Sequence, residues 1–201
     1  MRVELTIMKK MFLIIIIFLS INSFAESNFN YQITKVVGDL NKDGLSDIVI
    51  VTQDTINDSF PYKLDILLAK SKGEYKLIVT SIKAILPQFP YGKNSYRDGT
   101  RFTSIAIKNG VLSINMELLR GHYEHKFRFQ NGYFELIGFT ESFSDGQGTA
   151  TTTDFNLSTG IRIEKSIDYR TDKVISKSKK KILIRPLPKL EDFEPSKNDL
   201  Y

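Results

Sequence analysis

The chain has 201 residues, a formal net charge of +5 and no cysteine. The absence of cysteine excludes a disulfide framework, a thiol nucleophile and a lipid anchor attached through cysteine. The length suits a single domain with a sizeable hydrophobic core, and the small excess of basic residues does not point to a particular class of partner.

The first 25 residues are typical of a secretory signal peptide. Lys9 and Lys10 form a positive segment, the run from Met11 to Leu19 is apolar, and Ser23-Phe24-Ala25 is a small-x-small cleavage motif. The apolar run is shorter than the roughly 20 residues that span a bilayer. We therefore expect cleavage before Glu26, a periplasmic or secreted mature protein, no transmembrane segment after cleavage and no nucleic-acid partner. The alternative is an uncleaved N-terminal anchor.

Nearly all of the chain after Phe29 has the pattern of β-strands separated by turns. Segments rich in β-branched and aromatic residues alternate with clusters of glycine, asparagine, aspartate and serine, and no long stretch has the 3.6-residue period of a helix. The predicted strands outside the two hairpins described next are 31–37, 47–52, 62–69, 74–82, 151–156, 161–167 and 174–184.

Two Asn-Gly dipeptides predict tight β-hairpins. Both central residues of a type I′ turn need positive φ, and Asn-Gly is the sequence that adopts this most readily. Asn109-Gly110 and Asn131-Gly132 each lie between alternating apolar segments. With these as two-residue loops, apolar residues face one another on one side of each hairpin and polar residues on the other. The apolar pairs are Ile107–Leu112, Ile105–Ile114, Phe129–Phe134 and Phe127–Leu136.

We therefore predict an all-β protein in which an antiparallel meander forms a sandwich or a strongly curved sheet. Residues 26–185 make one domain. Residues 186–201 contain Pro186, Pro188 and Pro195 among charged residues, and we expect an extended C-terminal tail with little structure of its own. Lys177, Lys179 and Lys181 alternate along the last predicted strand, which is typical of an exposed edge. The alternative is contact with an anionic envelope surface.

An acidic loop lies between the first two predicted strands. Oxygen-bearing side chains occupy positions 1, 3, 5 and 9 of this loop, and Gly44 at position 6 permits a sharp reversal. An EF-hand would need glutamate at position 12, but Ile50 stands there, and a strand follows in place of a helix. The four side chains are those of Asp39, Asn41, Asp43 and Asp47.

The pattern D-x-N-x-D-G-x-x-D before a hydrophobic strand resembles the calcium loops of FG-GAP repeats in integrin-type propellers and related bacterial secreted proteins. The resemblance implies one structural Ca²⁺ near the N-terminal edge of the fold. Its ligands would be the side chains of Asp39, Asn41, Asp43 and Asp47 and the carbonyl of Leu45. The chain has one such loop and is too short for a propeller, so the resemblance concerns the metal site alone. The alternative is an Asx-rich turn without metal.

A second candidate site is the loop from Pro87 to Gly99. It gathers Phe89, Tyr91, Tyr96 and Arg97, and tyrosine and arginine are favoured where proteins bind partners. We predict a partner-binding surface there. The alternative is an aromatic loop packed against the sheet.

With two histidines and no thiol, the chain has few of the residues that hydrolase chemistry uses. The catalytic motifs of serine hydrolases and zinc proteases are absent, and His122 and His125 stand three apart on a predicted strand, so they point to opposite faces. We therefore predict a non-enzymatic binding or structural module of the cell envelope, whose partner is an envelope or secreted protein. One alternative is an inhibitor or immunity-type protein that binds a secreted enzyme. Another is a hydrolase that uses paired carboxylates.

Overall fold

A computed structural model describes residues 28–197, and the predicted signal peptide lies outside this range. The described chain is an all-β sandwich of two antiparallel sheets, as predicted. Within each sheet every strand pairs with its neighbours in sequence, with the orders β1-β2-β3-β4 and β11-β10-β9-β8-β7-β6-β5. The strands are β1 (Tyr31–Gly38), β2 (Asp47–Gln53), β3 (Tyr62–Ser71), β4 (Glu74–Ser81), β5 (Arg101–Lys108), β6 (Val111–Leu118), β7 (Gly121–Gln130), β8 (Tyr133–Ser144), β9 (Thr149–Asn156), β10 (Ile161–Asp168) and β11 (Lys173–Lys181).

Both Asn-Gly hairpins have the predicted register. Asn109 and Asn131 have φ of 54° and 55°, and the glycine after each also has positive φ. Loop chemistry therefore sets which residues face the core, because a shift of one residue would reverse the faces of both strands. The confirmed pairs are Ile107–Leu112, Ile105–Ile114, Phe129–Phe134 and Phe127–Leu136.

One hydrophobic core lies between the sheets. Alternate residues of β2 and β3 from the four-stranded sheet face alternate residues of β6 to β9 from the seven-stranded sheet. The largest fully buried aromatic side chains are those of Phe127, Phe134 and Phe155. Burial of side chains of this size is the main favourable contribution to folding in a chain without disulfides.

The two sheets meet where β1 lies against β5. A Cβ atom on Gly38, the last residue of β1, would lie 2.7 Å from Cγ2 of Ile107. Only glycine allows so close an approach of the two strands. The acidic loop therefore begins at the junction of the two sheets.

The C-terminal segment has little regular structure, but it is not a free tail. Its only regular element among the described residues is one 3₁₀ turn, Pro195–Lys197. Leu187, Leu190 and Phe193 are nevertheless buried in the core. The Leu190 N–H donates to the Phe134 carbonyl (2.8 Å), and the Leu136 N–H donates to the Pro188 carbonyl (2.8 Å). The segment predicted as an extended tail therefore packs against the sandwich, where its apolar residues cover the end of the core beside β8.

The lysine-rich strand β11 is an edge of the seven-stranded sheet, as the sequence predicted. Lys177, Lys179 and Lys181 are all exposed. In the described part of the chain, no helix has both the length and the apolar character needed to cross a membrane.

Candidate functional sites

The acidic loop is folded around the carboxylate of Asp39. Lys42 and Gly44 have φ of 64° and 86°, which turn the chain sharply. The Asp39 carboxylate accepts hydrogen bonds from the backbone N–H groups of Lys42 (2.6 Å), Asp43 (3.2 Å) and Gly44 (3.0 Å). The loop backbone therefore encloses one negative charge before any ion is considered.

The side chains of Asn41 and Asp43 also turn toward the loop. Oδ1 of Asn41 accepts from the Asp43 N–H (3.1 Å), and Oδ1 of Asp43 accepts from the Leu45 N–H (2.8 Å). The Asn41 amide group donates to Oδ2 of Asp43 (2.8 Å). These contacts hold the side chains at positions 3 and 5 in place.

Asp47 connects the loop to the sheet. Its side chain is completely buried. Oδ2 accepts from the Leu40 N–H (2.7 Å), and Oδ1 accepts from the Ala69 N–H (2.9 Å). Leu40 lies in the core and Ala69 in β3, so one carboxylate fastens the loop to both.

The donor set of this loop fits calcium in kind. Carboxylate, amide and carbonyl oxygens are the ligands that Ca²⁺ prefers. A carboxylate oxygen that accepts one N–H keeps a further lone pair. Within residues 28–197, no lysine or arginine forms an ion pair with Asp39, Asp43 or Asp47. The geometry is less complete, because no group of three or more His, Cys, Asp or Glu side chains in that range is arranged to hold a metal.

The acidic loop also contacts the hairpin between β5 and β6. A Cβ atom on Gly110 would lie 2.9 Å from Cε of Lys42, so the Lys42 side chain covers the hairpin turn. An open depression of about 490 Å³ separates the two turns, with Asp39 on one side and Asn109 on the other. The loop therefore holds β1 and β2 next to the opposite sheet.

The loop from Pro87 to Gly99 forms one wall of a groove of about 380 Å³. The Arg97 guanidinium lies over the Phe89 ring, 4.5 Å from its centre. The Phe89 ring contacts Phe60 edge-on, with ring centres 5.2 Å apart. This stack of three side chains keeps the loop against the sandwich.

Three of the four predicted partner residues, Phe89, Tyr96 and Arg97, line this groove, and the fourth, Tyr91, is exposed outside it. The sequence did not indicate the opposite wall. It comes from β5, from the end of β6 and from the β6–β7 turn, where Leu119 is 72% exposed. Tyr96 is 75% exposed. Two large exposed side chains beside one groove are typical of a surface that binds a partner.

A salt bridge lies beside the groove. The Arg101 guanidinium donates to Oε2 of Glu117 through Nη2 (2.7 Å) and Nε (3.0 Å). Both residues line the groove. The surface therefore combines apolar contact area with fixed polar groups.

The histidines lie on opposite faces of β7, as predicted. His122 is exposed, whereas His125 is buried among the rings of Tyr123, Phe139 and Phe193. Burial lowers the pKa of His125 to about 3, although the nearby Glu124 carboxylate acts in the opposite direction. His125 is therefore neutral at pH 7 and packs among these rings in the core.

Two carboxylates share one row of the seven-stranded sheet. Glu141 on β8 pairs with Thr153 on β9, which pairs with Glu164 on β10. Two strand spacings separate the Cα atoms of the two glutamates by about 10 Å. Burial raises the pKa of Glu141, Arg162 partly offsets the effect, and the Glu164 charge adds to it. Arg162 pairs with Glu164 at 3.1 Å.

No protein-family model, no curated protein and no solved structure matches this chain. The case for a function therefore depends on the geometry of the loop and the groove.

Proposed function

We propose that this protein is an exported, non-enzymatic binding module of the cell envelope, stabilised by one Ca²⁺ ion in the loop between β1 and β2. The observation that carries the proposal is the groove beside the loop from Pro87 to Gly99. Tyr96 and Leu119 are exposed there, and the Arg97–Phe89 stack holds the wall in place. Aromatic and arginine side chains on a fixed wall provide contact area with little loss of conformational entropy on binding.

Calcium would stabilise the junction of the two sheets. The side chains of Asp39, Asn41, Asp43 and Asp47 and the carbonyl of Leu45 would hold the ion. A divalent cation would neutralise charges that lack a basic partner among the described residues. We expect weak affinity, with a Kd of about 10⁻⁴–10⁻³ M, as in extracellular modules. The role would be structural, because the acidic loop contacts Ile107 and Gly110 at the end of β5, whereas the groove is lined by Arg101 at the start of that strand.

The partner is an envelope or secreted protein. An inhibitor or immunity-type protein is the more specific version of this proposal, in which the groove receives a segment of a secreted enzyme. Purified protein immobilised on a resin and exposed to envelope extract should retain a partner. Tyr96→Ala combined with Leu119→Ala should abolish retention. An inhibitor would bring down a single enzyme in a 1:1 ratio.

The matched control for this experiment is Tyr169→Ala. Tyr169 is 44% exposed and follows β10, far along the sheet order from the groove. This variant should retain the partner as the unchanged protein does. Equal retention by the groove variant and the unchanged protein would exclude the groove as the binding surface.

A second candidate function is carboxylate-dependent hydrolysis. Burial raises the pKa of Glu141, which lies in the same row of the sheet as Glu164. Glu164 forms an ion pair with Arg162. Such a pair can supply the acid and the base that glycoside hydrolysis needs. A panel of chromogenic glycosides tests it. Hydrolysis lost in Glu141→Gln and kept in the exposed Glu74→Gln variant would support this function, and no hydrolysis of any substrate would contradict it.

A further inference from the structure

The outer face of the four-stranded sheet carries an apolar stripe across all its strands. Val37 pairs with Ile48, Ile48 pairs with Leu67, and Leu67 pairs with Leu77. Val37 is 56% exposed and Leu77 is 53% exposed, whereas the alternate residues of β2 and β3 fill the core. The residues of this outer stripe therefore leave their side chains on the face turned away from the other sheet.

The neighbouring rows of the same face carry polar residues on β1 and β3, and their charges have a definite order. Lys35 on β1 pairs with Ile50 on β2, which pairs with Asp65 on β3. A positive and a negative charge thus lie one strand to either side of Ile50. The Lys35 side chain forms no ion pair within the described residues.

The next row continues this order. Gln32 on β1 pairs with Thr52 on β2, which pairs with Lys63 on β3. The Gln32 side chain, which can accept a hydrogen bond, and the Lys63 cation therefore lie one strand to either side of Thr52. In each of these two rows and in the outer stripe, the residue on β1 would make a favourable contact with the residue on β3, and β2 lies between them.

We propose that this face binds a second copy of the chain about a two-fold axis that is parallel to β2 and lies midway between the two facing sheets. Such an axis exchanges the positions of β1 and β3 between facing sheets. Ile48 then faces Ile48 of the second copy, Val37 faces Leu67, and Lys35 faces Asp65. In a two-fold interface each contact between different residues occurs twice, whereas the Ile48–Ile48 contact lies on the axis and occurs once. Charge complementarity and the exposed stripe together select a second copy as the occupant.

The expected association is weak. The shared face is three strands wide, or roughly 14 Å, and about seven residues long, or roughly 23 Å. This face would bury only about 640 Å² in total, less than the roughly 1,200 Å² of a standard interface, so the contact belongs to the weak, transient class. We expect a Kd on the order of 100 µM. Sheets that pack face to face would keep their strands within about 30° of each other.

Sedimentation equilibrium of the purified protein from about 5 to 300 µM tests the proposal. The unchanged protein should form a dimer. Lys35→Glu should raise the Kd about tenfold or more, because like charges then face each other twice. Asp65→Lys should do the same, and the double variant Lys35→Glu with Asp65→Lys should recover most of the affinity. Lys177→Glu, on the edge of the other sheet, should leave the Kd unchanged.

Recovery of dimer affinity in the double variant would show that the single variants act on the interface and not on folding. Asp65 also pairs with Lys63 (3.1 Å) and accepts from the Thr80 hydroxyl (2.7 Å), so Asp65→Lys alone lowers stability. Loss of those contacts is not reversed by a change at Lys35 within one chain. A protein that remains monomeric at 300 µM would overturn the proposal. This is the result expected if a molecule other than a second copy covers the outer stripe. A dimer that the double variant weakens further would overturn it as well.

Discussion

The buried carboxylate of Asp47 accepts a hydrogen bond from the backbone N–H of Leu40 at 2.7 Å. This contact links the last acidic residue of the loop to a residue of the core. The second oxygen accepts from Ala69 in β3. Asp47 therefore has a part in folding that does not depend on calcium, in addition to its proposed part as a ligand.

Asp47→Ala should destabilise the protein whether or not calcium is present. The substitution leaves the N–H groups of Leu40 and Ala69 without their acceptor in a buried position, at a cost of about 2–5 kcal/mol. Urea denaturation in EDTA measures the change in the free energy of unfolding. An unchanged free energy would mean that Asp47 acts only through a metal ion.

Leu190→Ala should lower the free energy of unfolding by about 2–5 kcal/mol, because Leu190 is fully buried against β8. Leu183→Ala is the control, because Leu183 is 62% exposed, and it should change the free energy by less than about 0.5 kcal/mol. Urea denaturation of both variants measures the difference. Equal, small effects would show that the C-terminal segment does not contribute to the core.

His125 should make the protein less stable in acid. Its pKa in the folded state, about 3, lies below the ordinary value of 6.5. The unfolded chain therefore binds the proton first as the pH falls below about 6.5, and the free energy of unfolding decreases by up to about 1.4 kcal/mol per pH unit. Above that pH the contribution is constant.

His125→Phe should remove this part of the pH dependence, as measured by urea denaturation between pH 7 and pH 4.5. The control is Ile114→Val, because Ile114 pairs with His125 in the ladder and has no titratable group. It should lower the free energy equally at both pH values. An unchanged acid slope in His125→Phe would assign the slope to other groups.

The exposed lysines of β11 should protect the edge of the seven-stranded sheet. Replacing Lys177, Lys179 and Lys181 with threonine keeps strand propensity and removes three charges from an unpaired edge. We expect faster aggregation of the triple variant on heating, measured by light scattering. Replacing the same three lysines with glutamate should leave the edge protected. Rapid aggregation of both variants would require a specific role for the positive charge.

The sequence predicted the parts of this fold that depend on local chemistry. The two Asn-Gly turns specify the register from Ile105 to Leu136, because turn geometry and alternation act over a few residues. The burial of the C-terminal segment was not predicted, because prolines and charged residues lie between its few apolar residues and leave no sustained strand or helix pattern. Its burial depends on space at the end of β8, which local sequence does not reveal.

The two candidate sites differ in the same way, between features set by nearby residues and features that form only in the folded protein. The acidic loop was visible because all its ligand candidates lie within nine residues. One wall of the groove could be predicted from the sequence, because Phe89, Tyr96 and Arg97 lie in one loop. Leu119 was not predicted as part of it, because the β6–β7 turn approaches the loop only in the folded protein.

The central claim is that a bound Ca²⁺ ion stabilises the acidic loop by drawing together carboxylates that backbone N–H groups otherwise hold. Asp43 is the most direct position to test, because it is exposed and its side chain hydrogen-bonds only to the Asn41 amide and the Leu45 N–H among the described residues. Asp145→Ala is the matched control. Asp145, like Asp43, is an exposed turn residue whose carboxylate accepts from backbone N–H groups, here those of Gln147, Gly148 and Thr149. It has no neighbouring set of ligands at alternate positions.

The most direct measurement is the melting temperature in about 10 mM CaCl₂ and in EDTA. Calcium at that concentration should raise the melting temperature of the unchanged protein by about 3–10 °C. Asp43→Ala should lose this increase while its value in EDTA stays almost the same, whereas Asp145→Ala should retain the increase. If Asp43→Ala instead lowers both melting temperatures equally, the loop is a turn stabilised by its own hydrogen bonds and calcium has no part in it.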